Sequence, residues 1–246
     1  MTNGSDPFIH HPELRDKVVE PLKSNYRTID IAILDEKMRT AGASTNWRHS
    51  DAQREDSRNK TLKSRLDNDL WVFAYGSLMW DPAFRFSEIR TAQLKGYQRS
   101  FCVKSELGRG TPEKPGLMAG LDAGGECRGL TFRIDRKFVE EETQVLWRRE
   151  MLMHVYAAEF VVLETPFGDL EALAFVVDRS ATAYLPGMSL QETAGYMATG
   201  AGIFGSSLEY LANLAGQFKA IGIEDDELFS LYDLARRLNA NTDKNA

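Results

Sequence analysis

Glu150 is the acid whose placement asks for an explanation. At about 100° per residue, Val139, Thr143, Leu146 and Glu150 fall within about 60° of one another on a helical wheel. Lys137, Glu141, Gln144 and Arg148 fall on the opposite side. The spacing predicts a helix over Arg136–Glu150, capped by Asp135, with Glu150 on its inward stripe. Glu140 and Glu141 then point to solvent, and the run Glu140-Glu141-Glu142 reads as a solvated face. Taking a carboxylate out of water is costly, so an inward glutamate needs a reason. The spacing leaves three open: a pair with Arg149 or another arginine, a helix that stops early, or an acid in an enclosed pocket. In a pocket, desolvation raises the carboxyl pKa toward the range of a general base.

A second set of residues lies about seventy positions earlier. Leu70-Trp71-Val72-Phe73-Ala74 is an unbroken apolar run, which predicts a strand buried on both faces. Tyr75-Gly76-Ser77-Leu78 ends it in a sharp turn, with Gly76 expected at positive φ. Amides exposed where a buried strand opens into a loop make a concave set of donors for an anion. An ordinary core strand with a glycine turn would look the same. Ser77 lacks any Gly-x-Ser-x-Gly surroundings, and His10, His11, His49 and His154 have no metal-ligand spacing.

These residues sit in a chain of 246 residues, 43% hydrophobic, with net charge −6. That balance, without a long basic stripe, argues against nucleic acid as a partner. No window approaches the roughly eighteen apolar residues of a membrane span, and the early Asp6 with no apolar stretch argues against a secretory leader. Cys102 and Cys127 read as small buried thiols. The expectation is a cytoplasmic protein.

Residues 1–69 form an expected arm or tether, partly disordered or wrapped on the domain. They hold one short amphipathic element at Ile29–Met38, and close to half of the residues from Trp47 to Asp69 are charged. The folded domain is expected over 70–246. Gln98–Val103 reads as a strand, Ser105–Gly116 as a long loop, and Leu117–Leu121 with Cys127–Ile134 as a hairpin turning at Asp122-Ala123-Gly124-Gly125. Tyr156–Thr165 and Leu170–Asp178 form a second hairpin, and helices follow at Leu190–Met197, Ser206–Ile221 and Asp226–Asn239. Strands first, one inserted helix and helices last predict an α+β fold.

Four motifs occur in order: Tyr75-Gly76-Ser77-Leu78, Gly108-Arg109-Gly110-Thr111 before Lys114-Pro115-Gly116, Leu146-Trp147-Arg148-Arg149-Glu150-Met151, and Gly205-Ser206-Ser207-Leu208-Glu209-Tyr210-Leu211. Together they resemble the ChaC family of glutathione-specific γ-glutamylcyclotransferases, over Leu70–Asn239. The resemblance implies a small barrel-like mixed sheet with flanking helices and a site with neither metal nor cofactor. It assigns substrate binding to Tyr75, Gly76, Ser77 and Leu78, proton transfer to Glu150, and pocket lining to Tyr210. The implied reaction cyclises the γ-glutamyl group of glutathione to 5-oxoproline, releasing Cys-Gly. Leu117 stands where many members carry arginine, Ser207 where many carry asparagine, and Ile203 replaces a proline. Those departures leave open a cyclotransferase for other γ-glutamyl peptides or amines; a non-catalytic binding or regulatory module of the same fold is the remaining alternative.

Overall fold

The structure, a computed structural model, describes residues 6–40, 42 and 45–243. Residues 1–5, 41, 43 and 44 of the expected arm and the last three residues lie outside the described set. The chain divides into one unit of Met1–Gln98 with Leu121–Asp178 and a second of Arg99–Gly120 with Arg179–Ala246.

The first unit is built on strand β1, Leu70–Ala74. Leu70, Val72, Phe73 and Ala74 are buried, as their unbroken apolar run requires. The other strands are β2 (Glu88–Ser105), β3 (Gly116–Ile134), β4 (Tyr156–Leu163) and β5 (Leu170–Val177), in the order β2-β3-β1-β5-β4. β1 runs antiparallel to β3, from Leu70 opposite Ile134 to Ala74 opposite Leu130, and parallel to β5. Beyond the end of β1, its two neighbours meet directly, with Leu121 opposite Val176. The sheet therefore curls in the manner of a half-barrel, and the chain leaves β1 where the curl closes. Gly129 permits this: a Cβ there would stand 2.3 Å from the Ala74 carbonyl oxygen. The β4–β5 hairpin forms as expected.

Helices flank the sheet. α1 (Ile31–Thr40) lies at the amphipathic element, and α2 (Asp51–Leu62) opens on a capping box between Ser50 and Gln53. α3 (Val139–Glu150) packs against α2. Arg58, buried on α2, donates to Glu55 (2.7 Å), Glu140 (2.7 Å) and the Thr143 hydroxyl (3.0 Å). Arg58, from the charged stretch Trp47–Asp69, thus serves in packed pairs.

In the second unit, α4 (Leu190–Thr199), α5 (Ser207–Ala220) and α6 (Asp226–Asp243) pack on one another, with the short strands β6 (Ala201–Gly202) and β7 (Gly205–Ser206) between α4 and α5.

Four expectations are corrected. Leu117–Ile134 holds one continuous strand and no hairpin. Gly124 (φ 113°) and Gly125 (φ 66°) take up left-handed backbone inside it, as at a bulge. Asp135 makes no side-chain cap; its carbonyl accepts from Phe138 N–H in a 3₁₀ turn ahead of α3. Gly76 has φ −135°, so left-handed backbone is not what the turn needs. Glu142 is wholly buried instead of solvated, because Arg27 and Arg85 close on it.

Candidate active site

The site is a loop and a helix end within the first unit. Tyr75, 7% exposed, donates its phenol O–H to the Phe175 carbonyl on β5 at 2.6 Å, which ties the end of β1 across the curl. The chain then makes a 3₁₀ turn over Ser77–Met79. The Gly76 carbonyl accepts from Met79 N–H at 2.9 Å and the Ser77 carbonyl from Asp81 N–H at 3.0 Å. At the head of such a turn the first N–H groups have no internal acceptor. Those of Ser77 and Leu78 accordingly donate to none of the described residues. Leu78 is 5% exposed.

Glu150 closes α3, and its side chain is only 15% exposed. Burial pushes its carboxyl above the usual glutamate range, against the opposing charge and hydrogen bond of Arg149. Both the internal pair and the enclosed acid therefore occur together: Arg149 Nε donates to Glu150 Oε1 at 2.9 Å, and the acid stays raised.

The sequence offered Arg149 only as a possible partner of Glu150, yet it joins the two halves of the site. Its Nη2 donates to the Ser77 hydroxyl at 2.8 Å and its Nη1 to the Asp81 carbonyl. The Asp81 carboxylate lies 3.8 Å from Nη1, with its Oδ1 buried and making no hydrogen bond. One rigid guanidinium fork thus fixes the loop and Glu150 together. The only signal for it was adjacency to an inward acid.

Tyr210 belongs to the second unit, 3% exposed, where its hydroxyl accepts from Ala119 N–H at 3.3 Å. That unit joins the other two motifs. The buried Ser207 hydroxyl donates to the Arg109 carbonyl at 3.0 Å and accepts from Leu117 N–H at 3.1 Å. A Cβ on Gly116 would lie 2.1 Å from that same oxygen, so the glycine and the small serine fit each other. Leu117 is fully buried. Among the described residues, no three or more His, Cys, Asp and Glu side chains gather as a metal would require, and no helix is long and apolar enough to cross a membrane.

Comparison with known proteins identifies the family. Residues 70–238 match the model of the family described as ChaC-like protein. A glutathione-specific γ-glutamylcyclotransferase of Escherichia coli is 35% identical over 190 residues, covering 76% of this chain and 82% of that protein. A human glutathione-specific γ-glutamylcyclotransferase 1 is 30% identical over 179 residues, covering 69% and 81%. A crystal structure of a yeast γ-glutamyl cyclotransferase specific to glutathione superposes with a TM-score of 0.64 at 21% identity, covering 69% of this chain and 96% of that one, which supports the fold. With four ordered motifs, a matching fold and relatives of this similarity, the chain belongs to the ChaC-like family.

Proposed function

We propose that the chain is a glutathione-specific γ-glutamylcyclotransferase, a lyase that needs no cofactor. The observation that carries the reading is the pairing of a buried, raised Glu150 with the Ser77–Met79 turn at the end of β1, both held by Arg149. The activities of the E. coli and human relatives support the substrate. The net charge of −6 favours a small-molecule partner over nucleic acid, and the chain works in the cytoplasm.

The α-ammonium of the γ-glutamyl group loses a proton to the Glu150 carboxylate. The freed amine attacks its own γ-carbonyl, the five-membered ring closes, and the C–N bond to cysteine breaks. Glu150 returns that proton to the departing amine and passes on a second one taken from the attacking nitrogen, which keeps a single hydrogen in the ring, leaving 5-oxoproline and Cys-Gly, with no water consumed. A raised carboxyl pKa brings the base closer to the pH at which it works. The nucleophile is tethered within the substrate, so holding one folded conformer supplies much of the acceleration. The Ser77 and Leu78 amides serve the substrate's α-carboxylate and fix that conformer. Tyr75 and Gly76 shape the loop. Purified protein incubated with glutathione should yield equal amounts of 5-oxoproline and Cys-Gly; absence of both, with folded protein, refutes the reading.

A further inference from the structure

The N-terminal segment reaches the framework of the site within the first unit. Val19 N–H donates to the Trp80 carbonyl at 2.8 Å, just past the loop turn. Arg27 donates to buried Glu142 at 2.5 and 3.0 Å and to the Ala83 carbonyl at 3.0 Å, which fixes the segment to α3 and to the chain after the loop. Tyr26 lies next to that anchor, and the Arg149 guanidinium carbon sits 4.2 Å from its ring centre. The three bonds of Arg149 to Glu150, Ser77 and Asp81 all use the edge of the guanidinium plane. Edge bonds set its position in the plane but let it rock out of plane. A ring on the flat face, attracted through its quadrupole, resists that motion.

We propose that Tyr26 is a positioning residue for the reaction, a clamp on the face of Arg149 through which the N-terminal segment holds the loop and Glu150 in register. The proposal rests on the cyclotransferase reading above. Misplacing a catalytic group by about 1 Å can cost about 100-fold in rate, while substrate binding by the loop depends less on it.

The test uses the full chain with Tyr26→Ala, Tyr26→Leu and Tyr26→Phe. Tyr26→Ala and Tyr26→Leu should lower kcat for glutathione about 10- to 100-fold with KM within about threefold, and Tyr26→Phe should recover most of it. Leucine fills the space without the quadrupole, so it keeps the comparison open if alanine impairs folding. The Arg149 Nε–H resonance reads the clamp without catalysis: ring shielding should persist in Tyr26→Phe and vanish in Tyr26→Leu. A folded Tyr26→Leu protein with wild-type kcat, or with an unchanged Arg149 signal, overturns the proposal. Wild-type protein that makes no 5-oxoproline refutes the reaction, and the resonance then still decides whether the clamp exists.

Discussion

Glu150→Gln removes one ionisable oxygen and almost no volume. The amide can still accept from Arg149 Nε, now at 2.9 Å from Glu150 Oε1, but it cannot take a proton from the substrate ammonium. General acid–base catalysis contributes roughly 10² to 10⁴-fold, so kcat should fall by at least that range while KM for glutathione stays within a few-fold. Folding should not suffer. The folded carboxyl pKa is raised, so the contribution of this group is fully present below the unfolded pKa and is lost as pH rises through the folded value. Burying the anion is a cost, and glutamine removes it. Arg149 keeps Ser77 and Asp81 as partners, so no cation is orphaned. In the wild type the same raised pKa places the acidic limb of kcat above the pH of an ordinary glutamate, and that limb should disappear in the variant. Glu141→Gln is the control: its side chain is 60% exposed and its pairs with Arg27 and Arg85 are of the surface kind, worth at most about 1 kcal/mol. The assay follows 5-oxoproline across pH, with thermal unfolding alongside. A folded Glu150→Gln enzyme that turns over at close to the wild-type rate would refute the mechanism.

Arg149→Lys keeps the charge but loses the fork that spans Ser77 and Glu150, so kcat should drop at least about tenfold, and unchanged steady-state kinetics would argue against the bridge. Glu142→Gln leaves Arg27 and Arg85 facing a neutral amide and should cost roughly 3 to 5 kcal/mol, read by denaturant unfolding. Burial alone would raise the Glu142 carboxyl, but the hydrogen bonds from Arg27 and Arg85 hold it below the usual range. Its stabilisation is therefore present above the unfolded pKa and lost as pH falls through the folded value, and the variant should lose this part of the acid sensitivity. Gly129→Ala sets a methyl 2.3 Å from the Ala74 carbonyl, so it should part β1 from β3, lowering both Tm and turnover; a neutral outcome would mean that the strands slide apart cheaply.

Much of this site was legible in the sequence because apolar periodicity carries it. The run Leu70–Ala74 could only be a buried strand, and the wheel through Val139, Thr143 and Leu146 put Glu150 inward without any structure. Polar residues misled where pairing replaced apolar burial. Glu142 sits beside the inward stripe, but its partner Arg27 is 115 residues away and leaves no local trace. The same holds for α2, where Arg58 is buried against Glu140 and Thr143 of α3. Asp122-Ala123-Gly124-Gly125 has the composition of a hairpin turn, and its glycines do adopt positive φ, but they bend one strand and do not reverse it. Arg149 carries its role in the bonds of a fork whose far ends lie 68 and 72 residues upstream.

β1 is five residues long, and it is paired on one side with Leu130–Ile134 and on the other with Leu173 of β5. The second partner is synthesised about a hundred residues after β1 itself. Until β5 exists, Tyr75 has no Phe175 carbonyl to bond, and the loop has nothing to close the curl behind it. Pairings this distant in sequence are slow to form, because loop-closure entropy must be met before they contribute. A nascent chain halted before Leu170 would thus already contain Glu150, Arg149 and the whole loop, yet would have no fixed site. The catalytic geometry should be among the last features to mature as the chain leaves the ribosome, and premature proteolysis should select against β1 despite its burial in the finished fold.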